Sequence, residues 1–156
     1  MRHVHVALIG DLKGAGFLSN YNSLSVKVKA NPLLAERVHF SGYVSDEDLV
    51  ALYSSAFAVT MPSYSEGFGL PAIEAMACGA PVLASDRGSL PEVIGDAGIY
   101  FDPFDIESIS KAIIEMAENR SLRLQLSCNA LTRAKTFTWQ HAAQVTLTYL
   151  EAMIKK

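Results

Sequence analysis

The sequence predicts an α/β domain built on a parallel β-sheet with helices on both faces. Three observations carry that prediction. Short apolar runs alternate along the chain with segments that carry helix-capping signals, the pattern of strands joined by helical crossovers. Glycine-bearing loops follow several of those runs, where sheets of this kind place their ligands. The chain has 156 residues, 50% hydrophobic and 19% charged, enough for the core of one ordinary domain.

The elements follow in order. Residues 4–9 are apolar and β-branched in part, and read as a buried strand stopped by Gly10 and Asp11. The loop at 10–16 also holds Gly14 and Gly16. A glycine directly after a strand suits the approach of phosphate or ribose, although an ordinary turn reads equally well. Residues 22–36 carry a helix broken near Asn31 and Pro32, and 38–40 form a short strand leading into Ser41-Gly42-Tyr43-Val44. Ser45-Asp46-Glu47-Asp48 makes a capping box for a helix through Tyr53. Its acids are cap and first-turn charges rather than metal ligands. Residues 56–61 are the next strand, and 62–81 hold a loop and a short helix. Strand 81–84 leads to Ser85-Asp86-Arg87-Gly88-Ser89, residues 90–94 make one helical turn, and 98–101 form the last strand. Asp105 caps a helix with the stripe Ile106, Ile109, Ile113, Met116 and Ala117. Ser121 starts a second with Leu122, Leu126, Ala130 and Ala134, and Thr138 caps a third with Trp139, Ala142, Tyr149, Leu150 and Met153.

Composition excludes several functions. Net charge is −3 with no basic stripe, so nucleic acid is not an expected partner. Cys78 and Cys128 lie far apart and form no metal or disulfide pattern, which favours a reduced, cytoplasmic setting. Residues 1–5 carry no secretory signal, and the apolar stretch 67–85 is cut by glycine and proline and contains Glu74, so it is no membrane span. Ser63, Ser65 and Cys78 have no accompanying His/Asp arrangement that would make them nucleophiles, and Cys78 reads as a small hydrophobe. His3 and His5 share a strand face without partners, and His39 and His141 read as structural.

The chemistry concentrates in residues 62–81, Pro-Ser-Tyr-Ser-Glu-Gly-Phe-Gly-Leu-Pro-Ala-Ile-Glu-Ala-Met-Ala-Cys-Gly-Ala-Pro. Pro71 opens the helix and Gly79 closes it. Ala72, Ile73, Ala75, Met76, Ala77 and Cys78 leave the helix no polar face, so burial is expected, with Glu74 as the only charge between Gly67 and Ser85. A buried carboxylate needs hydrogen bonds, supplied either by the positive end of its own helix or by a ligand diol. Gly67 and Gly69 flank Phe68 and open the backbone to a ligand, and the amides from Leu70 onward favour an anion. Phe68, held between glycines, is expected to line that opening, with core packing as its ordinary reading; Glu66 stands at the loop tip. An exposed loop acid and a helix-capping acid are the ordinary readings of Glu66 and Glu74; their spacing and setting favour function.

Ser65-Glu66-Gly67-Phe68-Gly69-Leu70-Pro71, Glu74-Ala75-Met76-Ala77-Cys78-Gly79 and Pro81-Val82 resemble the signature of family 4 (group 1) retaining glycosyltransferases. These have the GT-B architecture of two facing Rossmann-like domains, and the resemblance covers nearly the whole chain as the C-terminal, donor-binding half. It implies transfer of a sugar from a UDP- or GDP-sugar to an acceptor hydroxyl, with retained configuration, in polysaccharide or glycolipid biosynthesis. Glu66 and Glu74 match the family's glutamate pair. Glu74 would hold the ribose, and Glu66 with Gly67, Phe68, Gly69 and Leu70 would contact the transferred sugar and phosphates. Gly42, Tyr43 and Val44 would lie against the base and Gly10 near phosphate or ribose. The family implies no bound metal and no cofactor beyond the donor. On this reading residues 1–137 are the Rossmann-like nucleotide-sugar-binding domain, and 138–156 a C-terminal helix packed on it.

The pattern departs from the family in two places. By the resemblance, the N-terminal acceptor domain and the donor domain's first strand–helix unit, with its diphosphate-gripping arginine and lysine, are expected to lie outside this stretch of sequence. The expectation is a fragment of a longer transferase, inactive without its acceptor half and membrane-associated only through that half; Lys13 and Arg87 are candidate substitute cations, although an exposed loop cation is more often only a solvated charge. Two other readings remain: a catalytically silent nucleotide-binding or interaction module with this fold, and an epimerase, which the glutamate pair disfavours.

Overall fold

The computed structural model describes residues 4–12 and 20–154. Its contacts divide the chain into two units, Met1–Leu49 and Val50–Lys156. In the first, β1 (Val6–Ile9) pairs in parallel with β2 (Val38–Gly42), Val6 opposite Val38. Between them run α1 (Tyr21–Ala30) and α2 (Pro32–Arg37). The predicted break is at Asn31, whose side-chain oxygen accepts the Leu33 amide at 3.0 Å while Pro32 opens α2. The expected burial of the first strand is corrected: Val6 and Ile9 are 47% and 40% exposed. Among the described residues β1 has one strand neighbour, so an apolar run that suits a sheet interior occupies an edge. Lys13, Gly14 and Gly16 lie outside the described residues, as does His3. His5 and His39 stack across the strand pair, Nδ1 to Nε2 at 2.9 Å.

Helix α3 (Asp46–Ser55) starts at the predicted capping box: the Asp48 amide donates to Ser45 Oγ at 3.1 Å and the Ser45 hydroxyl to Asp48 Oδ2 at 2.9 Å.

The second unit holds β3 (Val59–Met61), α4 (Leu70–Ala77), β4 (Val82–Ser85), α5 (Leu90–Ile94), β5 (Gly98–Phe101), α6 (Ile106–Glu118), α7 (Arg120–Ala134) and α8 (Trp139–Ile154). Its sheet is parallel, in the order β3-β4-β5. Every residue of β4 is buried, as a central parallel strand covered on both faces must be. Val82 and Ala84 pack with Met61, Met76, Leu90, Ile94 and Ala130 on one face. Leu83 and Phe101 meet Ala112, Met116 and Leu126 on the other. The predicted helices on both faces are thus present. Among the described residues β1 pairs with β2 in the first unit and β3, β4 and β5 pair in the second, all in parallel as expected.

Three local expectations are corrected. The N-cap of α7 is Asn119, whose Oδ1 accepts the Leu122 amide at 3.0 Å and the Ser121 hydroxyl at 2.8 Å; Ser121 is already inside the helix. Ile106, the first residue of α6, is 80% exposed, because the helix face laid on the sheet begins further along. Helix α8 starts at the predicted cap, the His141 amide donating to Thr138 Oγ1 at 3.1 Å, yet it buries none of its residues. Trp139 and Met153 of its expected packing stripe are 88% and 73% exposed.

Tyr100 gives a pH-dependent prediction. Its hydroxyl donates to the Gly95 carbonyl at 2.6 Å, closing the turn between α5 and β5. Burial pushes its pKa from 10.0 up to about 12, with Asp96 adding to the rise and Arg133 opposing it. The folded state therefore holds this proton more tightly than the unfolded chain. The resulting stability is present below pH 10 and is lost as pH rises towards about 12. Denaturant melts of the wild type between those limits are expected to show this loss, with a shallower alkaline slope in Tyr100→Phe.

Candidate functional site

The carboxyl end of β3 places the glutamate loop. After Met61 the chain passes over β4, where the fully buried Ser85 hydroxyl donates to the Ser63 carbonyl at 2.6 Å. That bond fixes the loop's base. Glu66 is half-buried rather than at an open tip. Its carboxylate accepts the Ser63 hydroxyl at 3.2 Å, and its backbone carbonyl accepts the Ser89 hydroxyl at 3.1 Å and the Ser89 amide at 3.3 Å. The turn after β4 thus clamps the Glu66 backbone. Gly88 makes this clamp feasible: its φ is +60°, and a Cβ there would stand 2.8 Å from the Glu66 carbonyl oxygen and 2.9 Å from its nitrogen.

Gly69, at φ +89°, turns the loop into α4 as its N-cap. The Ala72 and Ile73 amides bond back to the Gly69 carbonyl, and Pro71 has no N–H. Among the described residues the Leu70 amide has no partner, so the free donor at the helix start is one N–H, not a row. Phe68 is half-exposed and meets Phe137 edge-to-face at 6.0 Å. Arg133 lies over the Phe137 ring at 5.2 Å, so the aromatic of the glycine loop leans on the end of α7 as well as facing outward.

Glu74 corrects the sequence expectation most sharply. Helix α4 buries Ala72, Ala75 and Met76, but Leu70, Pro71, Glu74 and Ala77 are exposed. The carboxylate of Glu74 lies in the open and has no hydrogen bond or ion pair among the described residues. Near it stands Tyr53 of α3, whose phenol is pushed up by burial first, then by the negative charge of Glu74 and by Cys78. The phenol therefore stays protonated at neutral pH beside an acceptor-only group. Cys78 is half-buried and free, and Met76 is a core residue.

Arg87, offered above as a substitute cation, is engaged. Its Nε lies 2.9 Å from Asp86 Oδ1 and its Nη2 3.5 Å from Asp102 Oδ1. Sequence reading missed Tyr53, Ser85, Ser89 and an exposed aromatic pair, Tyr64 and Phe104, whose rings stack at 4.6 Å between centroids. Each depends on a contact between distant positions that no local pattern announces.

The other predicted residues belong to the first unit. Gly10 and Gly42 both adopt positive φ, and the Gly10 amide donates to the Gly42 carbonyl at 3.1 Å, so the two glycine loops meet at the carboxyl end of β1 and β2. Beside them Gly10, Asp11, Leu12, Tyr21 and Phe40 line an open depression of about 240 Å³. Tyr43 is 85% exposed and Val44 half-buried. Among the described residues no group of His, Cys, Asp or Glu could hold a metal ion, and no helix is long and apolar enough to cross a membrane.

The sequence matches the glycosyl transferases group 1 family over residues 5–133. It is 44% identical over 110 residues to O-antigen chain mannosyltransferase B of Escherichia coli, covering 70% of this chain and 29% of that protein. MMP alpha-(1->4)-mannosyltransferase of Mycolicibacterium hassiacum is 38% identical over 140 residues, 86% of this chain and 34% of that one. The chain thus spans about a third or less of these relatives. Among solved structures, sucrose-phosphate synthase of Thermosynechococcus elongatus superposes with a TM-score of 0.80 at 30% identity, over 96% of this chain and 39% of its own. Anabaena HepE in complex with UDP and glucose gives 0.77 at 25% identity, over 98% of this chain and 41% of its own.

Proposed function

The chain belongs to the group 1 glycosyl transferases, and on that premise we propose that it binds a nucleoside-diphosphate sugar for retaining transfer to an acceptor hydroxyl in glycan synthesis. Its parallel α/β architecture is that of GT-B glycosyltransferases. The observation that carries the reading is the setting of the two glutamates. Glu66 is clamped before the start of α4, the Leu70 amide opens that start, and Glu74 stands exposed and unbonded one turn along.

Each group has a role suited to its position. The Leu70 amide and the positive end of α4 take the charge that develops on the departing diphosphate. Glu74, an acceptor with no protein partner among the described residues, takes the ribose hydroxyls and fixes the donor's register. Glu66, held by Ser63 and Ser89, orients the sugar or supports positive charge at the reacting carbon. A same-face displacement, with the leaving phosphate assisting the acceptor, needs no carboxylate nucleophile. The reading also needs no metal. The mannosyltransferases among the relatives favour a mannosyl donor, and the UDP complex of HepE supports a nucleoside diphosphate leaving group.

Calorimetric titration of the chain with GDP-mannose and UDP-glucose tests the reading. Saturable binding of at least one, unchanged by EDTA, is expected. Binding of neither would overturn it.

A further inference from the structure

Tyr64 and Phe104 are 66% and 71% exposed, yet their rings lie nearly parallel, 4.6 Å between centroids and 11° between planes. The pair joins the loop after β3 to the loop after β5, across the carboxyl edge of the sheet. Both loops are held. Ser63, next to Tyr64, is bonded through its carbonyl to buried Ser85. Ahead of Phe104, Pro103 is buried, and the Phe104 amide donates to Asp102 Oδ1 at 3.0 Å. The aromatic surface is therefore preformed, two residues from Glu66, and costs little ordering on binding.

Arg87 links the Asp102 carboxylate to that of Asp86, with all three side chains 41–47% exposed. Planar rings flanked by fixed carboxylate and guanidinium groups match a pyranose, which has an apolar C–H face and vicinal hydroxyls that both donate and accept. The charge decides between ligands. Two carboxylates hold the one guanidinium, so the flank offers a phosphate neither a free cation nor a helix start, while a neutral sugar needs neither. We infer that Tyr64 and Phe104 form a stacking platform for a neutral saccharide, the acceptor glycan, with Arg87 and Asp102 addressing its hydroxyls. The acceptor role rests on the transferase reading above; saccharide binding by the platform does not.

Affinity electrophoresis of the full chain through gels containing α-mannan or dextran tests the inference, with nucleotide binding measured in parallel by calorimetry. Retardation of the wild type is expected in at least one gel and is relieved by the matching free trisaccharide. Tyr64→Leu and Phe104→Leu should each weaken it at least five-fold while nucleotide affinity and melting temperature stay within error. Phe104→Trp, which keeps a stacked ring, should preserve it. Absent retardation, equal retardation of the leucine variants, or relief by free UDP or GDP instead of trisaccharide overturns the platform. Ring-dependent retardation in a chain that binds no nucleotide upholds the platform and sinks the donor reading.

Discussion

Glu74→Ala is expected to weaken binding of the nucleoside-diphosphate sugar about ten- to a hundred-fold while leaving the fold as stable as the wild type. Hydrogen bonds to a charged acceptor contribute about 1.5–3 kcal/mol, which converts to that range of affinity. No stability loss is expected, because Glu74 is exposed and bonded to nothing among the described residues. An exposed substitution of that kind falls within about 0.5 kcal/mol. Glu74→Gln keeps one acceptor oxygen and should lie between alanine and wild type. Calorimetry and thermal melts on the three proteins separate a ligand role from a structural one. A destabilised Glu74→Ala, or one that binds the donor as the wild type does, contradicts the proposed role.

Gly88→Ala is expected to damage stability and donor binding together. At φ +60° an alanine costs about 1–2 kcal/mol in backbone strain. Its Cβ would press on the Glu66 carbonyl oxygen and nitrogen at 2.8 and 2.9 Å. Overpacking of that sort adds about 1–3 kcal/mol. Both atoms are backbone, so relief requires Glu66 to move. Gly79→Ala is the control: its φ is +80°, but its Cβ would sit 3.6 Å from the Leu131 side chain, an ordinary contact. It should lose about 1–2 kcal/mol and keep its affinity for nucleotide. Equal melting temperatures and affinities for the two variants would show that Gly88 does not hold Glu66.

Much of the fold was legible because it is locally encoded. Ser45, Asp105 and Thr138 cap the helices predicted for them, and Pro71 and Gly79 bound α4 as expected. What sequence could not supply was the depth of each surface. An alanine-rich helix looks apolar all round, yet alanine gains little by burial, so α4 can leave Ala77 and Glu74 in solvent while Ala72, Ala75 and Met76 carry the packing. Glu74 is therefore not a buried acid that a ligand must rescue but an exposed acceptor with no partner among the described residues, open to a ligand's hydroxyls. The platform of Tyr64 and Phe104, and the pairing of Arg87 with Asp102, join residues far apart in the chain. Their meeting is a consequence of the parallel order β3-β4-β5, which brings three loops to one edge.

The central claim is that a nucleotide diphosphate settles at the start of α4. The most direct measurement is a two-dimensional amide NMR titration of the labelled chain with UDP and with GDP. Saturable shifts of Gly67, Gly69 and Leu70 with at least one nucleotide, much reduced in Glu74→Ala, are the predicted result. Saturation of either nucleotide that leaves these three amides unmoved would contradict the account.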